Sequence, residues 1–98
     1  MYRLEWKQIA EDDLADILDF IAEDSPTSAE RFAADIRAKA EKLREHPLLY
    51  RVGRVRGTRE MVAHPNYIVV YRVRNKVVEI LRVKHAAQQW PSTKKIKL

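Results

Sequence analysis

Apolar and polar residues alternate from Tyr2 to Trp6, the period of two that marks a short strand. From Lys7 the period becomes helical. Ile9, Leu14, Ile17, Leu18 and Ile21 fall on one face, and Glu11, Asp12, Asp16, Asp19 and Glu23 lie mostly elsewhere. Asp24-Ser25-Pro26 ends this helix, and Ser25 can cap a second one with Pro26 in its first position, where a missing N–H costs nothing. Ala29, Phe32, Ala33, Ile36, Ala40 and Leu43 make the second apolar stripe, and Asp35 and Lys39 are spaced to pair. The second helix is expected to stop at His46, since Pro47 disfavours helical geometry just before it.

The pattern then changes. Leu48 to Gly57 reads as a loop or irregular edge, and Thr58 to Ala63 as a strand. His64-Pro65-Asn66 is turn chemistry, and Tyr67 to Val73 is a strand rich in β-branched and aromatic residues. Arg74-Asn75-Lys76 makes a tight turn into a last strand from Val77 to Lys84. The predicted order is βααβββ: an α+β domain whose helical hairpin covers one face of a small antiparallel sheet. Residues 1–98 form one domain in this reading, with a basic tail at 92–98. The central strand is apolar on both sides, so its second face is expected to pack under the C-terminal segment or a partner, with Trp90 the candidate to fold back.

Charge sharpens this picture. The chain carries a net charge of +5, but unevenly. Residues 1–46 hold 7 basic and 12 acidic side chains, net −5; residues 47–98 hold 12 basic and 2 acidic ones, net +10. A basic half of this kind suits a surface that meets phosphates or an acidic protein segment. The absence of cysteine removes thiol chemistry and cysteine-ligated zinc. No apolar run approaches a membrane span, and Glu5 interrupts any secretory core near the start, so a cytoplasmic location is expected, with no membrane partner. The only glycines are Gly53 and Gly57, so no glycine-rich phosphate loop exists. The acids of the first helix are spaced as a solvated face, and neither a metal nor a cofactor is expected.

Three stretches carry a family resemblance: Gly57-Thr58-Arg59-Glu60, then His64-Pro65-Asn66-Tyr67 running to Val73, then Val78-Glu79-Ile80-Leu81-Arg82-Val83-Lys84-His85 running to Trp90. In this order, behind a helical hairpin, they resemble the RelE/ParE superfamily of toxins over almost the whole chain. The resemblance implies the toxin of a type II toxin–antitoxin (plasmid stabilisation) module, held inactive by a cognate antitoxin. It leaves the target open. ParE-type members poison DNA gyrase and are not nucleases, whereas RelE-type members enter the ribosome and cleave mRNA. Where RelE-type nucleases tend to carry lysines and an arginine, this chain has Glu60, Val62 and Ile68, which favours the ParE type. A generic basic nucleic-acid-binding domain is the remaining alternative.

If the chain were a ribonuclease, His85 would transfer protons and Arg59 and Arg82 would hold phosphate charge, since metal-free RNA cleavage needs an acid, a base and cations. Arg51, Arg54, Arg56, Arg72, Lys84 and Trp90 are the candidates for contacting the target or the antitoxin. His64, beside a proline, reads as a turn residue, and His46 as the end of a helix.

Overall fold

The computed structural model describes residues 1–87. Trp90 and the 92–98 tail lie outside the described residues. The elements run β1 (Arg3–Trp6), α1 (Gln8–Asp24), α2 (Pro26–Lys42), β2 (Arg51–Val52), β3 (Arg59–His64), β4 (Tyr67–Arg74) and β5 (Val77–His85). They form two helices and one five-stranded sheet in the order β1-β5-β4-β3-β2.

The helix boundary at Ser25 is as its chemistry dictates. Its Oγ accepts from the Ser28 N–H at 3.2 Å, and Pro26 opens α2. The far end of α2 differs from expectation. Regular helix stops at Lys42, and Leu43, Arg44 and Glu45 donate three residues back to Ala40, Glu41 and Lys42. The tightened last turn satisfies carbonyls that would otherwise be orphaned before Pro47.

The sheet is mixed, not purely antiparallel. β1 pairs in parallel with β5, Arg3 opposite Val77 and Trp6 opposite Ile80. The reason is parity. The helical hairpin returns the chain to the end where β1 stopped. From there β2, β3, β4 and β5 alternate in direction, so the fourth of them runs with β1. Had Leu48–Gly57 been only a loop, three meander strands would have left β5 antiparallel to β1. The two-residue strand Arg51–Val52, paired with Glu60 and Arg59, changes the count.

The core lies between the helices and one face of the sheet. Ala10 and Leu14 of α1 meet Phe32, Ile36, Ala40 and Leu43 from α2 and its cap, and Met61, Ala63, Val69, Tyr71, Val78 and Ile80 from the sheet. Ile17, Leu18 and Ile21 pack around its margin. Ile9, assigned from periodicity to this face, is 49% exposed; Ala10 takes its place one position on. Arg37 sits over the Trp6 ring at 4.3 Å and also holds Glu11, linking β1, α1 and α2. Two irregularities shape the sheet. Leu81 is the extra residue where the β4–β5 register shifts, Tyr71 pairing with Ile80 and Val70 with Arg82. Ala63 is the extra residue of β3, and its carbonyl accepts from the Lys39 ammonium of α2.

On the opposite face Ile68 and Val70 are buried as well. The expectation that Trp90 covers them concerns a residue outside those described. No helix among the described residues is long and apolar enough to cross a membrane.

Candidate functional site

His85 ends β5 opposite Tyr67. The two rings meet edge to face at 5.0 Å. Tyr67 in turn packs on Phe32 at 5.1 Å, and Phe32 on His64 at 5.4 Å. Both histidines are tied to the backbone in the same way. The Nδ1 of His85 accepts from the Ala87 N–H at 3.0 Å, and that of His64 from the Asn66 N–H at 3.3 Å. An accepting Nδ1 places the ring proton of a neutral imidazole on Nε2. Tyr67 separates two open recesses. One of about 680 Å³ is lined by Ile21, Arg31, Phe32, Asp35 and His64, and one of about 330 Å³ by Asp13, Asp16, Phe20, Lys84 and His85.

Arg82 is held by a helix. Its Nε and an Nη donate to the Asp13 carboxylate at 2.8 and 3.0 Å, and the Val83 N–H reaches the same carboxylate at 2.9 Å. β1 ends opposite Ile80, so the edge of β5 is open beyond that point, and Asp13 fills it. The paired carboxylate holds the Arg82 guanidinium even more firmly protonated than usual. Burial, with Arg82 nearby, lowers the Lys84 ammonium.

Arg59 faces the other way. One of its Nη atoms donates to the carbonyls of Tyr50 at 2.7 Å and Leu48 at 3.3 Å, which pins the segment between α2 and β3. Arg59 stands opposite Tyr71 and His85 opposite Tyr67, so four residues of β4 separate them. That is roughly 13 Å along a strand. Arg82 pairs with Val70 just past the Leu81 bulge, and its guanidinium is taken up by Asp13, which itself lines the recess of His85. Thus the structure does not bring Arg59, Arg82 and His85 together. The bulge at Leu81 bends β5 but does not bring Arg59 any nearer to His85.

The remaining cations sort into two groups around two carboxylates. Arg51 and Arg54 approach Glu60, at 3.0 and 3.5 Å. Arg72, Arg74 and Lys7 surround Glu79, Arg74 at 3.2 Å and Lys7 at 3.4 Å, with Arg72 in the closest contact. The Arg72 hydrogen bond holds the Glu79 carboxyl below its ordinary range, against the effect of its burial. Arg56 is exposed. Glu60 and Glu79, the only acids of the basic half, were not among the candidate site residues read from the sequence.

A helical hairpin against a mixed five-stranded sheet is an architecture shared with toxins of the RelE/ParE class. A chain from the solved chromosomal ParDE TA system of P. aeruginosa superposes with a TM-score of 0.77 at 26% identity, covering 87% of this chain and 96% of that one. The chain belongs to the ParE toxins: the family model for the ParE toxin of the type II toxin-antitoxin system, parDE, matches residues 4–90. It is 42% identical over 90 residues to Y4kP of Sinorhizobium fredii, whose name marks it as a candidate toxin, covering 91% of this chain and 93% of that protein. It is 36% identical over 83 residues to Toxin RelE2 of Caulobacter vibrioides, covering 85% of this chain and 91% of that protein.

Proposed function

We propose that a cognate antitoxin neutralises this toxin and that it arrests growth by poisoning DNA gyrase, not by cutting mRNA. The observation that carries the gyrase reading is the separation of Arg59 from His85, with Arg82 already taken up by Asp13. RNA cleavage without a metal needs proton-transfer groups and cations within hydrogen-bond reach of one phosphate. Here Arg59 secures a connecting segment and Arg82 secures a helix. A toxin that acts by binding requires a charged surface and no such assembly. The match to the ParE family model supports the same reading.

Two purified assays test it. With gyrase and supercoiled DNA, the wild-type chain should inhibit supercoiling and accumulate cleaved DNA. With ribosomes and a defined message, the message should stay intact. Codon-phased cleavage by the wild type that disappears in His85→Ala would overturn the proposal. A general acid or base of that kind contributes about 10² to 10⁴-fold, so its loss is easily read.

A further inference from the structure

The corner where the chain leaves α2 and enters the sheet has a chemistry of its own. Leu48, Leu49 and Val52 are 61%, 68% and 70% exposed, three large aliphatics within five residues. Arg51, Arg54 and Arg56 are exposed among and just beyond them. The carboxylate that faces Arg51 and Arg54, Glu60, is turned inward with its side chain 1% exposed. A patch of aliphatic surface beside arginines is unusual for a surface that only meets water.

This corner is also built to hold its shape. Arg59 grips the carbonyls of Leu48 and Tyr50, and the Tyr71 hydroxyl donates to the Pro47 carbonyl at 2.7 Å. Gly53 N–H donates to the Thr58 carbonyl at 2.7 Å, and Thr58 Oγ1 to the Val55 carbonyl at 2.6 Å. Glu60 accepts from the Arg54 backbone N–H at 3.0 Å. The approach at Gly53 is so close that a Cβ there would lie 2.3 Å from Thr58 Oγ1. The register puts Val52 on the face of Arg59 and Arg51 on the face of Glu60, so β2 shows an aliphatic side chain on one side and a guanidinium on the other. On the aliphatic side lies a recess of about 280 Å³ lined by Leu48, Val52, Gly57, Thr58, Arg59 and Val73.

We propose that this corner is the surface by which the toxin grips its target, and that the target surface is protein. It would offer an apolar side chain for the recess and carboxylates for the arginines. The inference rests on reading the chain as a toxin that acts by binding. Nucleic acid is the poorer fit. Phosphates reward cations, and unpaired bases reward aromatic rings, whereas exposed leucine and valine gain nothing from either. Protein interfaces have apolar centres and are enriched in arginine over lysine, and every cation of this corner is arginine. A rigid corner also loses little conformational freedom on binding.

The test is the Leu49→Asp/Val52→Asp double variant, with Arg56→Glu beside it and Ile9→Asp on the distant helix as control. All four positions are exposed, and thermal melts establish that each variant folds. Four readouts are taken: growth arrest on induction, gyrase inhibition, antitoxin affinity by calorimetry, and binding of a labelled single-stranded RNA. The double variant should lose at least about tenfold in gyrase inhibition and should no longer arrest growth, as expected where an interface centre is disrupted. Its antitoxin affinity and RNA binding should stay as in the wild type. Arg56→Glu should weaken inhibition less, and Ile9→Asp not at all. Undiminished growth arrest by the double variant overturns the proposal. So does a parallel loss of antitoxin affinity, which gives the corner to the antitoxin, or a loss of RNA binding, which gives it to nucleic acid. A wild type that arrests growth without inhibiting gyrase removes the gyrase reading alone, and growth arrest in the same variants still judges the corner.

Discussion

Glu60 and Glu79 show how a buried carboxylate organises a basic surface. Each gathers arginines that would otherwise repel one another. Glu60 also accepts a backbone N–H, so Glu60→Gln should keep that bond and lose the charge assistance of Arg51 and Arg54. The expected cost is about 1 to 3 kcal/mol in urea unfolding; a loss under roughly 0.5 kcal/mol would show that the carboxylate does not hold the corner. Glu79 predicts a pH dependence. Its folded-state carboxyl is depressed, chiefly by Arg72, so its stabilisation is present above the ordinary glutamate value of about 4.3 and is lost as pH falls through the depressed value. Glu79→Gln should therefore be less stable than wild type at pH 7, and the gap should close as pH falls below about 4. Urea midpoints taken across that range decide it; a gap that persists in acid would assign the loss to packing. Single residues of this kind were the least legible in the sequence. Arg59 finds its acceptors 9 and 11 residues upstream, in a segment without periodicity. Asp13 meets Arg82 across 69 positions.

Helices and long strands were legible because their signal is repeated. The Ser25-Pro26 boundary, the stripe of Phe32, Ile36, Ala40 and Leu43, and the run from Tyr67 follow directly from it. The short strand β2 repeats nothing, since two residues cannot display a period, and the direction of β1 against the distant β5 carries no local signal, so the parallel pair was not legible while the antiparallel meander was. The phase of α1 was right to within one residue. Ile9 falls outside the core because Ala10, beside the last residues of β1, is what the close approach of helix and sheet admits. This gives a sharp comparison. Leu14→Ala should cost about 2 to 5 kcal/mol, as for a fully buried leucine, and Ile9→Ala less than about 0.5. Chemical denaturation of the two variants side by side checks the phase directly; similar losses would mean that α1 is rotated from its described position.

At the scale of the whole molecule, the charge split becomes a division of labour between layers. Many acids of the helical half are already engaged: Glu11 with Arg37, Asp35 with Lys39, Glu41 with Arg44, and Asp13 with Arg82 across the layers. Both acids of the basic half are buried under their arginines. The outward field of the sheet layer is therefore positive, and an antitoxin segment that covers it should be acidic. Opposite charges steer encounter more than they set the final affinity, so the effect belongs to the association rate. Between 50 and 500 mM salt the screening length shortens from about 14 to about 4 Å, below the spacing over which the sheet's cations act together. Stopped-flow mixing of toxin and antitoxin should show association slowing at least about tenfold over that range, with dissociation changing little. An association rate indifferent to salt would mean that apolar contacts alone select the partner, and that the positive layer serves the target instead.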